Sequence, residues 1–204
     1  GISGRIPSVV LIGGQSLLFE RIATAFKVNK KRVGEVRRDA TLLDHHDYSF
    51  DAANAALAKL KSLDIPVVLN SSKTMPEMNR IRTRMGNEHP FIVENGAAMI
   101  IPPNYFERAA GEVINFSSEY ATILKAVYAL KEQCFQFRSF DMLSATDVSD
   151  LTGLSEAGAA MAKQRFGSEP LLWEDSEEQL AVFTQAITAH GFKLIKGGRF
   201  YHVI

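Results

Sequence analysis

The strongest constraint on this chain is an alternation that runs from residue 51 to residue 96. Asp51–Leu63 sets Ala53, Ala56, Leu57, Leu60 and Leu63 at helical spacing, with Ser49 placed as N-cap. Ile65–Leu69 is a β-rich apolar run that gives way to Asn70-Ser71-Ser72-Lys73-Thr74. Met75–Met85 reads as a second helix with Pro76 in its first turn. Phe91-Ile92-Val93 reads as a further strand, closed by Glu94-Asn95-Gly96. Strands alternating with helices imply a parallel sheet with crossover helices, an α/β fold. Such sheets hold their ligands outside the carboxyl ends of the strands. The Ser-Ser-Lys-Thr and Glu-Asn-Gly runs both follow strands in this way.

The flanking regions read differently. Ser8–Ile12 is a candidate buried strand, Gly13-Gly14 a turn, and Gln15–Phe26 a helix with Leu17, Leu18, Ile22, Ala25 and Phe26 on one face. Neither G-x-x-x-x-G-K-[ST] nor G-x-G-x-x-G is present, so Gly13-Gly14 is taken as a plain turn, with a phosphate-cradling turn as a distant alternative. Lys30–Arg38 is strongly polar, and Val33–Val36 is a poor candidate for a central strand. Lys30-Lys31-Arg32 is taken as a solvated loop. From Ile100 the character changes. Pro102-Pro103 reads as a linker into an α+β unit inserted after the third strand. That unit has helices at Ala121–Glu132, Ser144–Thr152, Ser155–Gln164 and Ser176–His190. Its strands are expected at Phe135–Phe140, Leu171–Trp173, Phe192–Ile195 and Arg199–Val203, the last two joined through Gly197-Gly198.

Composition excludes several classes. Lys plus Arg equals Asp plus Glu at 23 each, so no basic surface points to nucleic acid or an anionic membrane. No apolar run approaches the ~20 residues of a membrane span, and Val9–Ile12 is too short for a signal-peptide core. Cys134 is the only cysteine; it supports no intramolecular disulfide or cysteine zinc site and fits a reducing, cytoplasmic setting. His45 and His46 are adjacent, and neighbours on an extended segment point opposite ways. His45-His46-Asp47 is therefore read as a flap rather than a zinc site.

Arg37–Phe50, R-R-D-A-T-L-L-D-H-H-D-Y-S-F, resembles the first motif of the haloacid dehalogenase (HAD) superfamily, D-x-D-G-T-L-L-D. V-V-L-N-S-S-K-T and F-I-V-E-N-G-A-A follow, then A-K-Q-R-F-G-S-E-P-L-L-W-E over Ala162–Glu174 and G-G-R-F-Y-H over Gly197–His202. From about Asp39 to Ile204 the chain resembles the mannosyl-3-phosphoglycerate phosphatase family, a branch with an α/β cap of the second class. The resemblance implies a segment without likeness over 1–36, a partial Rossmann-like HAD core over 37–99 and a cap over 100–204. It implies Mg²⁺-dependent hydrolysis of a phosphorylated sugar to mannosylglycerate, a compatible solute, and phosphate. No nucleic-acid or membrane partner is expected.

The same resemblance assigns roles. In the family one aspartate attacks phosphorus and a second, two residues on, serves as general acid and base. Asp39 matches the second and would also bind the metal; Thr41 matches the motif threonine. Ser71 matches the hydroxyl that bonds a phosphoryl oxygen, with Ser72 and Lys73 as neighbouring phosphate or substrate contacts. Asn95 would donate to substrate at the hinge into the cap. Arg165, Ser168 and Arg199, with Glu169 and His202, are candidates for the sugar and glycerate carboxylate, which an arginine fork suits. Two departures oppose turnover. Arg37 stands at the nucleophile, where a permanent cation cannot attack phosphorus, and Ala40 stands at the glycine. The family's third-motif lysine and acidic fourth motif would fall after Ile204. The expectation is a chain that does not turn over, whose first 36 residues reflect a splice, a frameshift or a divergent start. A phosphatase for another sugar phosphate with the same cap, or a binding module without chemistry, stays open.

Overall fold

A computed structural model of the chain describes residues 8–12, 19–28, 31, 33–36, 54–107 and 109–204. They form two compact units. The first runs to Ser71 and resumes over Met78–Asn115; the second comprises Ser72–Glu77 and Phe116–Ile204.

The first unit is built on a sheet of order β2-β1-β3-β4-β5-β6. Its members are β1 (Val9–Ile12), β2 (Val33–Val36), β3 (Val67–Asn70), β4 (Phe91–Val93), β5 (Ala98–Ile101) and β6 (Glu112–Asn115). β1 pairs in parallel with β2 and β3, and β3 with β4, in the register Val10↔Val67, Ile12↔Leu69 and Leu69↔Phe91. Val9, Leu11, Val68 and all of β4 are fully buried, which is why these strands are continuous apolar runs without alternation. α1 (Phe19–Phe26) buries Ile22, Ala23 and Phe26. α3 (Met75–Met85) leads into β4.

β1, α1 and β2 belong to the same unit as β3 and β4. Three expectations change here. Val33–Val36 does form a strand, the outermost of this sheet among the described residues. β5 and β6 are antiparallel to β4 and to each other. Pro102-Pro103 therefore lies within the first unit, which continues to Asn115, and the α+β unit follows β6 rather than β4. Finally, α2 (Asn54–Ser62) buries no residue, and Leu63 is half exposed. The stripe on this helix is local; the described residues do not cover it.

The second unit carries a four-stranded antiparallel sheet of order β7-β8-β10-β9. Its strands are β7 (Phe137–Ser139), β8 (Glu169–Trp173), β9 (Leu194–Gly197) and β10 (Phe200–Val203). α4 (Tyr120–Glu132) and α7 (Glu177–Ala189) supply Ile123, Val127, Leu130, Phe183 and Ile187 to a core with Phe137 and Leu171. Trp173 lies parallel to Phe137 at 6.3 Å between ring centres. α5 (Ala145–Thr152) and α6 (Glu156–Ala162) enclose Phe140, Val148 and Ala159 in a smaller cluster. Ser144, Ser155 and Ser176 cap α5, α6 and α7, each accepting from the backbone N–H three residues on. Gly198 turns the β9–β10 hairpin at φ +63°, a conformation strained for other residues.

Candidate functional site

The four parallel strands of the first unit align their carboxyl ends at one sheet edge. β1 lies between β2 and β3, so the connections diverge at the β1–β3 pair, the position where open sheets of this kind hold ligands. Asn70 and Ser71 stand at that point. The end of β2, from which Arg37 continues, is two strand spacings from β3, roughly 10 Å. Asp39 and Thr41, together with Arg37, Ala40 and His45-His46-Asp47, lie outside the described residues.

Ser71 is held from both sides. Its N–H donates to Ile92 O at 3.3 Å, and its carbonyl accepts from Asn95 N–H at 2.9 Å. These bonds bring the two strand-end runs together. Glu94 and Asn95 sit at φ +51° and +58° within a single 3-10 turn, Glu94–Gly96. Consecutive left-handed residues cost of order 1 kcal/mol each and gather at functional sites. Ala97 N–H, donating to Val93 O at 3.0 Å, helps hold the turn.

Ser72–Glu77 belongs to the second unit. Thr74 is the N-cap of α3. Its N–H donates to Glu77 Oε2 at 2.9 Å, half of a capping box, and its hydroxyl donates to Met161 O at 2.8 Å. Lys73 Nζ lies 3.4 Å from Glu77 Oε1. Arg165, 8% exposed, spends its guanidinium on protein acceptors. Nη2 donates to Ser72 O at 2.8 Å and Ser168 Oγ at 2.9 Å; Nε donates to Ser168 O at 3.0 Å and Nη1 to Ala162 O at 3.2 Å.

Glu169 is completely buried. Oε2 accepts from the Tyr120 hydroxyl at 2.6 Å and Oε1 from Asp141 N–H at 2.8 Å. Burial raises the pKa of this carboxyl above its ordinary value, against the opposing pull of those bonds and Arg165. Burial likewise raises Tyr120, reinforced by the Glu169 charge. His202 is buried on β10 against Gly197, where an added Cβ would meet its ring at 3.1 Å. Arg199 is exposed on the hairpin turn and donates to Leu151 O at 2.7 Å.

Of the expected residues, the structure thus ties Ser71 to Asn95, and Ser72 to Arg165 and Ser168. Arg199 meets the end of α5. Thr74 and Glu77 were not anticipated, although T-x-x-E before a helix is a legible cap signal. Tyr120 and Asp141 carry no such signal, since their partner Glu169 is 49 and 28 residues away. Among the described residues no three His, Cys, Asp or Glu side chains gather where they could hold an ion.

This architecture is the HAD fold. A HAD subclass IIB sugar phosphatase superposes on 96% of this chain and 69% of its own with a TM-score of 0.56, at 11% identity. The sequence relationship is more particular. Glucosyl-3-phosphoglycerate/mannosyl-3-phosphoglycerate phosphatase from Persephonella marina is 36% identical over 173 residues, 81% of this chain. The protein of the same name from Methanococcoides burtonii is 35% identical over 175 residues. The chain is similar in sequence to these phosphatases and spans 64% of their length. No family model matches it.

Proposed function

We propose that the chain takes a hexosyl-3-phosphoglycerate as ligand, mannosyl or its glucosyl counterpart, and that the family reaction is hydrolysis of its phosphomonoester. The observation that carries this is the 35–36% identity to two phosphatases named for both compounds, over 81% of the chain. Ser71 supports the phosphoryl end, because its backbone is pinned where open sheets hold ligands. Lys73 supplies a point charge of the right sign. Asn95 supplies an amide at the adjoining turn.

With arginine at the aspartyl position of the first motif, the chain binds this ligand and does not turn it over. No lone pair at Arg37 is available to phosphorus. Mg²⁺ belongs to the same proposal through Asp39; the described residues provide no ligand cluster for it. A reducing, cytoplasmic setting belongs to the same reading, as does the absence of a nucleic-acid or membrane partner; no described helix is long and apolar enough to cross a membrane.

Two measurements on the 204-residue chain test the proposal. Calorimetry with mannosyl- and glucosyl-3-phosphoglycerate is expected to show binding heat. Phosphate release with Mg²⁺ is expected to stay at the no-enzyme rate. Release that Asp39→Asn abolishes would overturn the claim of inactivity. Binding of simple hexose phosphates but of neither glycerate ester would overturn the ligand.

A further inference from the structure

We infer that Arg165 is a positioning residue for the phosphate-binding segment and makes no contact with the substrate carboxylate. This rests on the ligand proposed above, because it takes Ser72 and Lys73 as the segment that meets phosphate.

A guanidinium grips a carboxylate through a fork of two parallel N–H groups. Both forks of Arg165 are occupied. Nε and Nη2 converge on Ser168 Oγ at 3.2 and 2.9 Å. On the other edge Nη2 donates to Ser72 O and Nη1 to Ala162 O. A carboxylate could enter only by displacing a buried hydrogen bond, an exchange with little net gain.

What the arrangement does is fix a peptide plane. A trans peptide is planar, with its C=O and N–H pointing opposite ways. Holding Ser72 C=O toward Arg165 therefore directs the Lys73 N–H away from it. The following residue is fixed as well, by Glu77 at its N–H and by Met161 O at its hydroxyl. The Thr74 hydroxyl bonds the last turn of α6 directly, at Met161 O, and Ser72 O is tied to the same turn through Arg165, which also donates to Ala162 O. Lys73 is thus flanked on both sides by clamped backbone, and its side chain leans on Glu77. The partial negative charge of a helix C-terminus favours a cation there, which accounts for an arginine at that point without a ligand.

The test separates positioning from direct contact by changing the ligand. Inorganic phosphate has no carboxylate; mannosylglycerate has no phosphate. Calorimetry compares both with mannosyl-3-phosphoglycerate on the wild type, Arg165→Gln, Arg165→Lys and the surface control Arg138→Gln. Arg165→Gln is expected to weaken inorganic phosphate and the full ligand by the same factor, about tenfold, and to leave mannosylglycerate unchanged. Arg165→Lys keeps the charge but not the two forks, and should lose nearly as much. Hydrogen exchange of the Lys73 and Thr74 amides should quicken in both Arg165 variants and not in the control. A loss confined to the carboxylate-bearing ligands would overturn the inference. So would unchanged exchange at Lys73 and Thr74, a result that stands even if the wild type binds none of the three and the ligand proposal fails. Trp173 fluorescence reports whether each variant is folded.

Discussion

The two units bury polarity in opposite ways. Among the described residues, the buried polar or charged side chains are Thr74, Glu77, Glu94, Ser139, Arg165, Ser168, Glu169 and His202. Glu94 alone belongs to the first unit; the other seven belong to the second. In the first unit the inner strands are apolar along their length, and polar groups wait at the carboxyl ends. In the second, the sheet itself carries Ser139, Glu169 and His202, and Arg165 with Ser168 stands beside it. Apolar burial is tolerant of exchange, whereas a buried carboxylate demands particular partners. The first unit therefore gathers its polar groups at strand ends. The second specifies the shape of a segment through bonds that few sequences would satisfy.

The largest expected effect tests the apolar side of that contrast. Phe183 is fully buried with its ring against Phe135, Phe137 and Trp173. Phe183→Ala should cost about 3–5 kcal/mol, read from urea unfolding followed by the fluorescence of Trp173, the only tryptophan. A loss below about 1 kcal/mol would show that the second unit draws little from this core.

The polar side comes next. Glu169→Ala removes a fully buried carboxyl and with it the acceptor of Tyr120 O–H and Asp141 N–H, and should cost about 2–4 kcal/mol. Glu169→Gln keeps an acceptor for Asp141 and a donor for the Tyr120 oxygen, so its cost should be far smaller. It also changes the pH response. The carboxyl has a folded-state pKa above its unfolded value. The folded state then holds the proton longer, so stability is greatest below the unfolded pKa, roughly 4.3. It falls as pH rises toward the folded pKa and is level beyond it. Glu169→Gln removes that decline, so its stability relative to wild type should improve with pH across this window. A pH-independent difference would show that Glu169 titrates as it does in the unfolded chain.

The smallest effect sharpens the comparison from the first unit. Leu57 lies on α2, which has no buried residue. Leu57→Ala should change stability by no more than about 0.5 kcal/mol. A loss of 2 kcal/mol would reveal a partner for the stripe that the described residues do not supply.

Much of this organisation was legible because it is local. The runs at Val67–Asn70 and Phe91–Val93, and the helix at Met75–Met85, follow from composition over a few residues. So do the helices beginning at Ser144, Ser155 and Ser176 and the glycine turn of the last hairpin. The placement of Ser71 and Asn95 at strand ends follows from the same pattern. β5 was not legible, because Ala98–Ile101 continues an apolar run and nothing in four residues declares an antiparallel partner. β2 was judged on its polarity, which argues against a central strand and says nothing against an edge. Arg165 was read as a ligand for an anion; only its hydrogen bonds show that the guanidinium serves Ser72, Ala162 and Ser168.

By itself, then, the sequence determined the alternating order of elements, the turn of the last hairpin, and the resemblance that points to a phosphorylated sugar. These rest on short-range periodicity and on residue types in fixed spacing. Tertiary structure alone decided that β1 separates β2 from β3 and that the first unit extends to Asn115. It also decided that Glu169 is satisfied from 49 and 28 residues away. Strand pairing and buried hydrogen bonds join residues far apart in the chain, and no window along it contains both partners.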